Sequence, residues 1–368
     1  MGLGSMSEIV AAPTFREEFP VLERHAYLNA GTEGPVPQAA EDAVRARMHA
    51  DLVDGRSGRA YFDDVLDLAV RARAGYATAL GADPSEVALT GSTTYGVNTV
   101  LGGLRFGSGE EIVTSDQEHP GVLVPLRRLR VRCGVNVRVV PFAELPGEVR
   151  SDTRMVVCSH VSWVGGEIMD VAALRATGVP ILLDAAQALG AIPVDVHELG
   201  VDFYAGSGQK WMCGPEGSGA LYVRSDRLDE LEPPFPGFSS VTDHENPLGS
   251  ELVSGASRLD DGFPSAVRSA WAVASMSVLA GAGWAWVHEQ AALGAEQLAG
   301  LLRERGHQVA PRGRTTLVSW ASEDAEADVA RLAAEGLIVR SIPSVGLVRA
   351  SVGAWTSEEE IHRLAASA

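Results

Sequence analysis

The stretch Phe203-Tyr-Ala-Gly-Ser-Gly-Gln-Lys210-Trp-Met-Cys-Gly214-Pro215 opens as an aromatic, β-prone run, passes through small residues that end a strand, and closes on a Gly-Pro stop. A lysine fixed between two such turns, directly after an apolar run, is poorly accounted for as a solvated surface residue. Its neighbours along the chain decide the fold. Upstream stand Val87-Ala-Leu-Thr90, Glu111-Ile-Val-Thr114, Val135-Asn-Val-Arg-Val-Val140, Met155-Val-Val-Cys-Ser159 and Ile181-Leu-Leu-Asp184, and downstream Ala220-Leu-Tyr-Val223. With Phe203-Tyr-Ala205 these make seven candidate strands separated by helical stretches, the pattern of an α/β fold with a mainly parallel sheet. Ligands of such sheets bind beyond the carboxyl ends of the strands, so the polar residues just after each run are the ones to inspect.

The chain's 368 residues suffice for one large α/β domain and a smaller one, each with its own core. A formal net charge of -18 argues against nucleic acid as a partner, because polyanion binders present a basic face. Cys133, Cys158 and Cys213 are odd in number and widely spaced, with no CxxC pair and no ligand-like histidine spacing. That pattern predicts no metal site and a reducing, cytoplasmic location. No run of about 18 apolar residues and no basic-then-apolar leader occurs, which predicts neither membrane association nor secretion. Met1-Gly-Leu-Gly-Ser-Met6 reads as an expression-tag remnant before a native start at Met6.

The remaining chain is expected to divide into an N-terminal segment (7–30), a large domain (31–245) and a small C-terminal domain (246–368). Glu232-Pro-Pro-Phe-Pro-Gly-Phe238 can continue neither helix nor ladder and reads as a bridge between domains. Residues 265–305 carry apolar side chains at helical spacing, with Trp271, Trp284, Trp286 and Leu301 as core candidates. Thr356-Ser-Glu-Glu359 has the spacing of a capping box and starts a last helix bearing Ile361 and Leu364.

Several strand ends carry chemistry. Thr90-Gly-Ser-Thr-Thr-Tyr-Gly96 opens a helix whose free amides and positive dipole end favour phosphate, with Thr93 and Thr94 as added donors. By itself it reads first as an ordinary Ser/Thr N-cap, because such caps are common. Asp184, in Asp184-Ala-Ala-Gln187, emerges from a buried apolar strand, where a carboxylate is costly unless it meets a cation such as a pyridinium nitrogen. Gln187 is placed to donate to a ring oxygen. Lys210 is an amine able to form an imine with a carbonyl cofactor, and Ser207 and Gln209 beside it are candidate phosphate donors. His119, in Glu118-His-Pro-Gly121, is either a stacking face for a flat cofactor or an exposed loop histidine. Arg340 and Arg349 flank Ser341-Ile-Pro-Ser-Val-Gly-Leu347 and suit a carboxylate, or are solvated strand ends.

Together these residues resemble fold-type I pyridoxal-phosphate (PLP) enzymes of the class V aminotransferase superfamily, the group holding cysteine desulfurases and isopenicillin N epimerase-like proteins. The likeness runs from Tyr27-Leu-Asn-Ala-Gly31 to the C-terminal helix, and its most specific part is the ordered set Glu118-His119, Asp184-Ala-Ala-Gln187 and Ser207-Gly-Gln-Lys210 followed by Gly-Pro. It implies a large PLP-binding domain with a seven-stranded sheet and a smaller α+β domain, assembled as a homodimer. It also implies that Lys210 carries the cofactor as a Schiff base, Asp184 pairs with the pyridine nitrogen, His119 stacks on the ring and Gln187 meets the ring hydroxyl. Thr93, Thr94, Ser207 and Gln209 would hold the phosphate, and Arg349 the substrate α-carboxylate.

Three positions depart from the desulfurase pattern. Residues 341–348 lack the nucleophilic cysteine, Gln209 replaces the histidine before the lysine, and Phe263-Pro264 stand where the partner subunit's phosphate contact is usual, with Ser265 adjacent. Ser159-His-Val-Ser-Trp163, Glu118-His-Pro-Gly121 and the nine-residue step from Arg340 to Arg349 are most similar to cystine carbon-sulfur lyases, with Trp163 in place of an asparagine. The implied activity is β-elimination on a cysteine-derived amino acid, with Arg340 and Trp163 in the substrate site. Transamination, epimerisation and oxidative deamination are alternatives within the superfamily, and an inactive ligand-binding homologue is another.

Overall fold

The computed structural model describes residues 13–368, so the tag reading of residues 1–6 and the start of the N-terminal segment lie outside the described residues. All seven predicted runs are strands of one sheet, ordered Val87–Thr90, Gly219–Val223, Phe203–Ser207, Ile181–Asp184, Thr153–Ser159, Glu111–Ser115, Asn136–Val140. Gly219–Val223 pairs antiparallel with both of its neighbours, and the other pairings are parallel. Six strands therefore run the same way and end on one edge.

Alternation along these strands explains their nearly continuous apolar runs. Ile181 and Leu183 enter one core with Tyr204 and Tyr76, while Leu182 enters the other with Phe203, Val97 and Leu126. Both faces are covered, so neither can be polar. Helices Gly58–Leu80 and Ala266–Ala282 close the first face, and helices Thr93–Gly103 and Pro120–Cys133 the second. By the same alternation Asp184 and Ser207 point towards the second face.

The C-terminal portion forms a three-stranded antiparallel sheet ordered Arg340–Ile342, Leu347–Ser351, Leu317–Ala321, and packs on helices Trp284–Glu304, Ala325–Ala334 and Glu358–Ser367. Val348, Ala350 and Val352 fill that third core, which turns Arg349 and Ser351 to the opposite face. Among the described residues no single helix is long and apolar enough to cross a membrane.

One expectation needs correction. The capping box is Ser357 with Glu360, one residue later than predicted, because Glu360 accepts from Ser357 N (2.7 Å) and is anchored by Arg16, while the Thr356 hydroxyl accepts from Gly353 N. Trp284, Trp286 and Leu301 pack half-buried against the cores and Trp271 is half-buried, while Trp211, Trp320 and Trp355 are buried. At the start of the proline-rich segment the amide of Glu232 donates to Gly103 O (3.2 Å).

Candidate active site

Five strand ends converge at the carboxyl edge. Beyond Phe203–Ser207, residues 208–214 fold back on themselves. Gly208 N donates to Ser218 O (2.8 Å), Gly214 N to Gly208 O (2.9 Å) and Cys213 N to Lys210 O (3.1 Å). Cys213 is the one described non-glycine residue with positive φ (54°), a conformation costing about 1 kcal/mol. Trp271 Nε1 (3.1 Å) and Ser275 Oγ (2.8 Å) hold its carbonyl in place. From the start of the large portion Gly34 N donates to Gln209 O (2.7 Å), and any Cβ at Gly34 would collide with the Lys210 carbonyl. The turn is thus gripped from both sides. Lys210 is the only lysine in the chain.

Burial brings the Lys210 ammonium down to about 8, with the charge of Asp184 opposing that fall. Asp184 is buried, its Oδ1 accepts from Ala186 N (2.8 Å), and desolvation raises its carboxyl above the usual range. Gln187 donates Nε2 to Gly31 O (2.8 Å) and accepts from Trp211 Nε1 (3.0 Å), which leaves one amide hydrogen for a ligand. Thr93 and Ser207 touch directly, with 2.6 Å between hydroxyls and Thr93 N donating to Ser207 Oγ at 3.2 Å. Ser92 caps this helix by accepting from Tyr95 N (3.1 Å), so the segment is both a Ser N-cap and a row of donors beside Ser207. Thr94 is exposed next to Gly121, and the Gln209 Oε1 is buried without a partner among the described residues.

His119 is the N-cap of helix Pro120–Cys133, with Nδ1 accepting from Gly121 N (3.0 Å). Burial first, then Lys210, Arg340 and Arg349, push it down to about 4. It is therefore neutral near pH 7, with its proton on Nε2. Its ring meets Trp163 edge-on at 5.2 Å, and the Arg340 guanidinium lies 5.9 Å from the centre of the Trp163 ring.

Arg349 is not a solvated strand end. It is fully buried, Nη1 donates to Trp163 O (2.6 Å), and Nε and Nη2 have no partner among the described residues. Desolvation, then the charge of Arg340, lowers it to about 9. Arg340 is its register partner across the antiparallel pair, half-buried, and donates to Thr32 Oγ1 (3.3 Å).

The structure thus brings together Lys210, Asp184, Gln187, His119, Trp163, Arg340 and Arg349, with Thr93, Thr94, Ser207 and Gln209 along the adjoining edge. Two polar groups received no role from the sequence. Ser351, on the same strand face as Arg349, is fully buried with its Oγ unpartnered among the described residues; the i, i+2 spacing was its signal. Glu118 is buried under the site and accepts from Ser115 Oγ, Ser159 N and Ser159 Oγ. Nothing in its neighbourhood in the sequence announces Ser159.

This donor set fits pyridoxal phosphate. A buried guanidinium with two open positions lacks an anion, the one lysine is desolvated, and a buried carboxylate faces it. The family model described as "Aminotransferase class-V" matches residues 35–364. A probable cysteine desulfurase of Methanothermobacter thermautotrophicus is 35% identical over 62% of this chain and 60% of its own length. The isopenicillin N epimerase of Streptomyces clavuligerus is 34% identical over 56% and 55%. The matched region thus spans less than two thirds of these relatives. Two solved structures of the cystine C-S lyase C-DES cover 95% of this chain and 98% of theirs. One, with glycine covalently linked to its PLP cofactor, has 27% identity and a TM-score of 0.90; the other, with its product cysteine persulfide, has 28% and 0.88.

Proposed function

The chain belongs to the class-V aminotransferase family, a family of PLP enzymes, and from that premise we propose that it is a carbon-sulfur β-lyase. The substrate is a cysteine-derived amino acid, cystine or an S-substituted cysteine. With one water consumed, it yields pyruvate, ammonia and a thiol or persulfide.

The thiol inventory carries this reading. The segment before Arg349 holds no cysteine. Cys158 and Cys213 are fully buried, and burial pushes both thiols well above their ordinary range. Cys133 ends the helix whose opposite end, at His119, faces the site, some 20 Å away for 14 residues. No protein thiol is placed to take the sulfur, so it departs with the product.

Each residue then has a task. Arg349, with Nε and Nη2 open, takes the α-carboxylate, and Arg340 beside it takes a second one, as cystine requires. Lys210 is the base for the Cα proton, since a buried amine brought down to about 8 is partly free near neutral pH. When bound, PLP supplies an electron sink for the pair left at Cα. Asp184 would keep the ring nitrogen protonated, neutral His119 would face the ring, and Gln187 would offer its remaining hydrogen to the ring oxygen. Thr93, Thr94, Ser207 and Gln209 would hold the phosphate.

Feeding cystine and S-substituted cysteines to the PLP-loaded protein should give catalytic pyruvate and ammonia with one sulfur product per turnover. Stoichiometric conversion of the cofactor to its amine form without pyruvate would instead establish transamination. Substrate racemisation without pyruvate would establish epimerisation, and oxygen consumption oxidative deamination. Absorbance near ~420 nm that disappears in Lys210→Ala separates an enzyme from an inactive homologue, because that band reports the protonated imine.

The assembly proposed is a homodimer, supported by exposed apolar side chains on helices Gln38–Val53 and Gly58–Leu80, including Leu52, Val53, Phe62, Leu66 and Val70. Three unpaired cysteines support a reducing, cytoplasmic setting.

A further inference from the structure

Glu118 is only 4% exposed. Its Oε1 accepts from Ser115 Oγ (2.5 Å) and Ser159 N (2.9 Å), and its Oε2 from Ser159 Oγ (2.6 Å). None of these partners is a cation. Ser115 ends one strand and Ser159 the next, and Ser159 is in register with Asp184 on the strand beyond. The carboxylate therefore sits under the carboxyl edge of the sheet, next to Asp184, between the turn that carries His119 and the turn that carries Trp163. A buried carboxylate without a cation is a costly way to join two turns, and an amide would join them more cheaply.

We propose that Glu118 is a positioning residue for this site: an anion that ties the His119 turn to the Trp163 turn and adds its negative charge to that of Asp184. The inference rests on the PLP reading but not on the lyase reading. Three donors aimed at two oxygens suit the ionised form. Each turn holds part of the substrate machinery, since Trp163 O accepts from Arg349 and the Trp163 ring meets His119. The groups facing Glu118 are Asp184 on the neighbouring strand, the Cys158 thiol on the strand of Ser159, and the two serines. Burial and the charge of Asp184 bring Glu118 to about 7, so its charge changes in the working pH range.

The test is Glu118→Gln in the PLP-loaded protein, because an amide keeps the shape and one acceptor while the Ser159 hydroxyl turns to accept. Removing a nearby anion lowers the proton affinity of the bound chromophore. The pH midpoint of its absorbance change should therefore fall by about one unit, and kcat about tenfold, with KM changed less than about twofold. The limb of the pH-rate profile near pH 7 should disappear. Ser159→Ala, which keeps the carboxylate but removes one donor, should shift the midpoint the same way by less, and it carries the test should Glu118→Gln fail to fold. An unchanged midpoint in both variants overturns the proposal and leaves Glu118 a structural link. Because the midpoint is read without turnover, it stands apart from whether pyruvate is formed.

Discussion

A Cβ on Gly31 would stand 2.7 Å from Ser351 Oγ, 2.9 Å from Arg349 Nη2 and 3.0 Å from Gln187 Oε1. One missing methyl thus lets the backbone at Gly31 lie directly on the guanidinium proposed to take the carboxylate. Gly31→Ala should displace Arg349 and raise KM for the amino acid about tenfold or more, with a smaller fall in kcat, as steady-state kinetics will show. Lys210 supplies a second prediction. Only the free amine attacks an aldehyde, and the ammonium, lowered to about 8, must first lose its proton. The rate of PLP uptake by the apoprotein should therefore rise about tenfold per pH unit below about 8 and level off above it, which stopped-flow absorbance would measure. At this scale the sequence was informative wherever chemistry followed a strand. Lys210, Asp184 and His119 could be found because apolar runs pointed at them. The role of Glu118 could not, since it depends on Ser159 meeting it from a separate segment. Read from its neighbours alone Arg349 is either solvated or part of the site, and only the resemblance assigns it the carboxylate, although Val348, Ala350 and Val352 already place it on the face opposite the small core.

Strands were legible because burial on both faces makes them uninterrupted apolar runs, and only their ends moved, as when Phe203–Ala205 extended to Ser207. Helix starts were less so. Thr356 and Ser357 each have a glutamate three residues on, and the choice between them is made by Arg16, which reaches Glu360 from the other end of the chain with 2.9 and 3.1 Å bonds. A local pattern cannot contain that partner. Ser357→Ala should cost about 1 kcal/mol, read as a lower urea midpoint, whereas Thr356→Ala should leave amide exchange protection of the last helix unchanged. The tryptophans show the same limit. Trp271 has the spacing of a core residue, yet it sits half-buried with its indole N–H on the carbonyl of Cys213, supporting the lysine turn from a helix about 60 residues away in the chain.

Across the molecule, the two portions meet through hydrogen bonds as well as apolar contact. Val164 O accepts from Ser319 Oγ (2.5 Å), Gly166 O from Thr315 Oγ1 (2.9 Å) and Trp163 O from Arg349 Nη1 (2.6 Å). The turn after strand Thr153–Ser159 is thereby held by the small sheet. The proposed dimer has a simple test, since Leu66→Glu with Val70→Glu on one exposed helix face should shift sedimentation towards the monomer; wild-type protein sedimenting as a monomer at micromolar concentration would refute it. The single lysine has a consequence of a different kind. A lysine-specific endoprotease acting on the unfolded chain has one bond to cut, leaving residues 1–210 and 211–368. Once borohydride has fixed the cofactor on that nitrogen, the cut is lost. The ratio of intact chain to two fragments on a denaturing gel then counts loaded molecules directly, with no spectrum and no substrate.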